Sequence, residues 1–161
     1  MNPRIEIISQ KKLVGKSIRM SLVNNLTFEL WSSFMPHKKH IKNTLNSDLY
    51  SMQIYDSSTY YDNFNPNQEF TKWATIEVSN FDNVLEGLNT YTLEGGLYAV
   101  FIHKGLAFDK TVAYIFKDWM PNSEYELDHR AHFEVLGEKY KKNHPDSEEE
   151  VWIPIRLKND E

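Results

Sequence analysis

Glu150-Val151-Trp152-Ile153-Pro154-Ile155 reads as a strand with two characters. Side chains alternate sides along an extended chain, so Val151, Ile153 and Ile155 point one way, as core residues should, while Glu150, Trp152 and Pro154 share the other side. A carboxylate beside an indole is not ordinary core. A second stretch, Ala131-His132-Phe133-Glu134-Val135-Leu136, repeats the pattern, with Phe133 and Val135 on one side and Glu134 on the other. Two acidic strands of this kind predict a pocket that holds a positive charge against aromatic surface.

Working outward from these strands, the second half of the chain begins as a strand near Asn89, passes Gly95-Gly96 and continues through Leu97 to His103. A helix is predicted from about Ala107 to Trp119, because Phe108, Val112, Ile115, Phe116 and Trp119 recur at helical spacing; Pro121 ends it. A polar connection, Gly137 to Glu149, separates the two acidic strands. The first half reads in the same order. Extended segments at Arg4 to Ile8 and Leu13 to Met20, with Gly15 as a bend or bulge, lead to a helix capped at Asn24 or Asn25 with Leu26, Leu30, Trp31 and Phe34 on one stripe. Pro36 should interrupt that helix, since proline lacks the amide donor, with a short helical piece resuming over His37 to Leu45. Strands at Tyr50 to Tyr55 and Thr71 to Ser79 flank a tyrosine-rich loop, Asp56 to Gln68. Each half is strand, helix, strand, strand. The expectation is one α+β domain over residues 1–161, with halves of about 1–86 and 87–161 joined about a pseudo-twofold axis, an antiparallel sheet and a central ligand pocket. An unrelated α+β sandwich is the alternative.

Composition narrows the function. The 161 residues carry no cysteine, which excludes disulfides and thiolate chemistry and fits a reducing, cytoplasmic compartment. No apolar run reaches membrane-spanning length, and the N-terminus lacks a signal-peptide pattern. The formal net charge of -5 argues against direct DNA binding, and the basic cluster His37-Lys38-Lys39-His40 reads as a solvated helix face. His129 and His132 are three apart in an extended stretch and diverge, so neither a metal site nor a cofactor is expected. No nucleophile motif or phosphate-binding glycine loop is present, and no catalytic residue is assigned.

Four motifs in sequence carry a resemblance: Gly96-Leu97-Tyr98-Ala99-Val100-Phe101-Ile102-His103-Lys104-Gly105, then Trp119-Met120-Pro121-Asn122-Ser123, then Phe133-Glu134, then Glu150 to Ile155. Together they resemble the GyrI-like small-molecule-binding domain, the effector-binding domain of AraC-type and multidrug-sensing transcription regulators. The resemblance implies the duplicated fold and a pocket for lipophilic, often cationic molecules. It assigns ligand contact to Glu134 and Glu150, with Trp152 as an aromatic wall. Where family members often carry an aromatic residue two positions after the Phe-Glu glutamate, this chain has Leu136. No helix-turn-helix precedes the first strand, so the chain is expected to be the stand-alone form, working through a protein partner or by sequestration. Family members also include hydrolases of strained cyclopropane compounds and gyrase modulators, and both remain as alternatives.

Carboxylates facing an apolar pocket are costly unless paired, protonated or wet, and a lipophilic cation supplies the missing charge. Aromatic faces add roughly 0.5 to 2 kcal/mol of cation–π attraction. The competing reading makes Glu134 and Glu150 solvated acids paired with Arg130 or Arg156. Tyr98 stands equally open to core packing and pocket lining; Trp119, on the helix stripe, reads mainly as core, with pocket lining as the alternative; and Tyr125 is a candidate rim residue.

Overall fold

In the computed structural model, which describes residues 1–57 and 59–159, the chain runs β1 (Arg4–Ile8), β2 (Lys11–Met20), α1 (Thr27–Lys38), β3 (Thr44–Ile54), β4 (Phe70–Val78), β5 (Asn89–Leu93), β6 (Gly96–Lys104), α2 (Phe108–Ala113), α3 (Met120–Asn122), β7 (Tyr125–Leu127), β8 (His132–Leu136) and β9 (Glu148–Leu157). A π-helical stretch, Tyr114–Trp119, joins α2 to α3. All strand pairings are antiparallel, and the sheet order is β1-β6-β9-β8-β3-β4-β2-β5, with β7 against the far end of β9.

That order is symmetric about its centre. On one side β8, β9 and β6 follow one another, and on the other β3, β4 and β2, so the two strand-helix-strand-strand modules meet at the β3–β8 pair. The opening strand of each half crosses over. β1 pairs with β6 of the second half, and β5, which opens the second half, pairs with β2 of the first. The fold is α+β with duplicated modules.

The period-2 pattern of the strands feeds both faces. On the helix side, Leu30 and Phe34 of α1 pack with Val14, Ala74, Ile76 and Val78, while Ile115 and Met120 pack with Ala99, Phe101, Val151, Ile153 and Ile155. Among the described residues the opposite face carries no helix, yet Leu13, Tyr50, Met52, Trp73, Tyr98, Val100, Phe133 and Trp152 form one buried cluster on it. Side chains from β2, β3, β4, β6, β8 and β9 meet there because the sheet curls into a half-barrel.

Three local expectations change. Pro36 lies inside α1, which continues to Lys38; without an amide hydrogen it cannot bond the Ser32 carbonyl, and the helix bears this loss one turn from its end. No helix resumes over residues 41–45, since β3 begins at Thr44 and absorbs its polar start through a register shift between Thr44 and Leu49. Gly15 is not a bulge. It keeps regular register between Thr75 and Asn89, and a Cβ there would lie 1.9 Å from the Ala74 carbonyl oxygen, so close backbone approach accounts for the glycine. No helix among the described residues is long and apolar enough to cross a membrane.

Candidate functional site

The duplicated topology leaves a crevice. α1 packs over β2 and β4, and α2 over β6, so among the described residues the central β3–β8 pair has no helix above it. Antiparallel register sets Ser51 opposite Glu134 and Leu49 opposite Leu136 on this uncovered strip.

One end of the crevice is filled. The loop after β3 brings Tyr61 into a stack on Phe116, ring centroids 3.8 Å apart, and the Tyr55 and Tyr61 hydroxyls share a hydrogen bond of 2.9 Å. His132 is buried against Tyr55, and burial pushes its imidazole down to about 3, so it stays neutral.

The other end is an open cavity of about 970 Å³. Phe28, Trp31 and Met35 of α1 form one wall; Phe108 of α2 and Tyr140 stand among the others, with Leu49 and Leu136 at the base. Over the mouth, Lys142 reaches across from the loop after β8, its ammonium 4.8 Å from the Phe28 ring centroid.

The floor is charged. Glu134 accepts a hydrogen bond of 3.1 Å from Gln53 Nε2 and lies 3.9 Å from Lys72 Nζ, and the two side chains are 12% and 9% exposed. Burial raises the Glu134 carboxyl above its ordinary range, opposed by Lys72 and Gln53, while burial lowers Lys72, opposed by Glu134 and Glu149. Glu149, the second residue of β9, also lines the cavity. Burial first, then the neighbouring Glu134, pushes its carboxyl up to about 7, against the pull of Lys72. A carboxyl in this condition is close to half ionised at neutral pH.

Of the residues singled out in sequence, Glu134 and Leu136 line this cavity. Glu150 and Trp152 do share a side, but it is the curled face opposite the helices. Trp152 stacks on Phe133 at 5.2 Å and donates from Nε1 to Glu150 Oε1 at 3.0 Å. The cation they attract is Arg4, whose Nη2 donates to Glu150 Oε2 at 2.8 Å and whose guanidinium sits 5.6 Å from the Trp152 centroid. Tyr98 is fully buried on the same face, its hydroxyl donating to the Ala131 carbonyl at 2.8 Å. Trp119 packs edge-on against Phe101 and stacks with Tyr125, and neither lines the cavity. Arg130 does not pair with Glu134 or Glu150; it bonds Asp128 and the carbonyls of Leu97 and Ile155. Glu149, Lys72 and Phe28 escaped the sequence reading. The sequence places Glu149 at the end of the polar connection before the last strand, although the odd-numbered side it shares with Val151 is the helix side.

Among curated proteins none matches the chain in sequence. Several solved structures share its fold. SAV2435, solved bound to tetraphenylphosphonium, superposes with a TM-score of 0.71 at 14% identity over 97% of this chain and 94% of that one. The C-terminal domain of EcmrR gives 0.67 at 14% identity over 96% and 97%. An integron cassette protein from the mobile metagenome of Vibrio cholerae gives 0.64 at 15% identity over 96% of each chain. The family model of Cass2, the integron-associated effector-binding protein, matches residues 4–155. With nearly its whole length matched and its sheet and helices superposing on these proteins, the chain belongs to the Cass2 family of integron-associated effector-binding proteins, a GyrI-like effector-binding domain.

Proposed function

We propose that this effector-binding domain takes lipophilic small molecules into the cavity between α1 and α2 and favours cations there once Glu149 is ionised. The observation that carries the reading is a roughly 970 Å³ cavity with aromatic walls and a carboxyl held near neutrality at its floor. Aromatic surface rewards apolar area, and a partly dry carboxylate rewards charge without the hydration cost that a small ion would bring. SAV2435, with the same fold, binds a cation of this type. Direct DNA binding has no part in this role; the output is sequestration or a signal to a protein partner.

The test is calorimetric titration with tetraphenylphosphonium and with neutral triphenylphosphine oxide between pH 5 and 8.5. A permanent cation favours ionised Glu149, so its binding releases protons and its affinity rises with pH through about 7 before levelling. Triphenylphosphine oxide should bind with little dependence on pH. Equal, pH-independent binding of both probes would reduce the cavity to an apolar pocket. A second reading also rests on Glu149, whose carboxyl is matched to general-base work on water near neutral pH. Turnover of a bound strained electrophile, abolished in Glu149→Gln while binding persists, would establish it.

A further inference from the structure

Lys72 is the charged group of the cavity that simple cation capture leaves unexplained. It stands on β4, next to the central pair, opposite Gln53 of β3, and its ammonium reaches Glu134 at 3.9 Å with the side chain 9% exposed. Among the described residues, the other charged groups at the cavity are Glu134 on β8, Glu149 on β9 and Lys142 on the intervening loop, whose ammonium lies over the Phe28 ring. Two acids therefore face one buried internal cation. The opposite side of the sheet uses the same device, with Arg4 set against Glu150 and Trp152.

Resting on the binding role proposed above, we infer that Lys72 is a specificity-determining residue: by neutralising Glu134 it leaves Glu149 as the one free acid and restricts the cavity to ligands with a single positive charge. The chain of cause is electrostatic. With the Lys142 ammonium exposed over the Phe28 ring and apart from the floor, a monocation meets Glu149 and completes a neutral floor of two acids and two cations. A dication brings a second charge into a partly dry space where no acid remains, and it meets the Lys72 ammonium as a like charge. Rejection comes from the repulsion, selection from the remaining acid. Burial weakens the hold of Lys72 on its proton, and Glu134 and Glu149 counter that tendency.

A series of one shape and three charges tests this: 4-(p-tolyl)pyridine, neutral at pH 8, 1-methyl-4-(p-tolyl)pyridinium, and the dication methyl viologen, each titrated calorimetrically at pH 8. The wild-type protein should bind the monocation at least about tenfold more tightly than the dication. In Lys72→Met, both acids are free, and the dication should gain at least about tenfold relative to the monocation while the neutral probe changes by less than about twofold. In Glu149→Gln the monocation should lose its advantage over the neutral probe. Equal binding of monocation and dication by the wild type, which needs no variant to fold, overturns the inference, as does an unchanged charge order in folded Lys72→Met. If none of the three probes binds the wild type, the binding role itself falls, whereas neutral and monocation binding with an unaltered order removes only the role of Lys72.

Discussion

A single register position separates Glu149 from Glu150, and it decides which acid faces the helices. The sequence presents Glu148-Glu149-Glu150 in a row, and alternation assigns the middle one to the side of Val151, Ile153 and Ile155. That side was legible as apolar, and a helix covers it; a crevice between helices must open on the same side. The indole of Trp152 drew attention to the other side, where only the long-range curl of the sheet supplies its burial, and local alternation carries no trace of such a curl. Glu134 was found because its strand neighbours, Phe133 and Val135, fixed the opposite side without ambiguity. Lys72 gave no signal, since a lysine in a strand reads as solvent-facing until its neighbours are known. The condition of Glu149 has a measurable cost. Its folded-state value, about 7, lies above the ordinary 4.5, so it contributes stability that is complete below the ordinary value and is lost as pH rises through about 7. Glu149→Gln, neutral throughout, should therefore melt several degrees above the wild type at pH 8.5 and match it at about pH 4, below the ordinary value. Buried His132 acts in the opposite sense, contributing stability above pH 6.5 that is lost on acidification towards its folded value of about 3, but it is common to both proteins and cancels in the comparison. Identical melting differences at both pH values would show that Glu149 titrates normally.

Among the elements, strands were more legible than helix ends. The apolar stripe of Phe108, Ile115 and Trp119 marked the second helix, although the backbone widens to a π-helical stretch at Tyr114–Trp119 that side-chain spacing does not reveal. Pro36 misled because a proline is costly within a helix but does not forbid one when packing supplies compensation, and Phe34 beside it is fully buried. The stretch from His37 to Leu45 reads as a short helical piece, yet neighbouring β4 recruits its end, from Thr44 on, into β3 through an irregular pairing. Gly15 displays the opposite relation, a residue whose backbone requirement is set by the close approach of another strand, β4. Gly15→Ala should destabilise the protein by about 1–3 kcal/mol, because β2 must move away from the Ala74 carbonyl and loosen its ladder with β4. Chemical denaturation will measure this, and an unchanged midpoint would mean that the sheet opens there at no cost.

For the whole molecule, the order of elements in the sequence carried the duplication, and the duplication positions the cavity: two helices placed by two modules cannot both cover the strand pair at the centre. What the order did not carry was the fate of the two opening strands, since β1 and β5 each lie at an edge of the sheet beyond the other module. Their exchange makes the molecule inseparable in a specific sense. Cutting the chain between Glu86 and Gly87 leaves each piece without the strand that completes its own rim, and holding the strand that completes its neighbour's. The fragments 1–86 and 87–161 should each be poorly structured alone and should regain the native circular dichroism spectrum and a cooperative melt when mixed in equal amounts. Native-like spectra for either fragment alone would mean that a module closes its sheet without help. The crevice is thus held shut by a mutual clasp, each half gripping the other by its first strand.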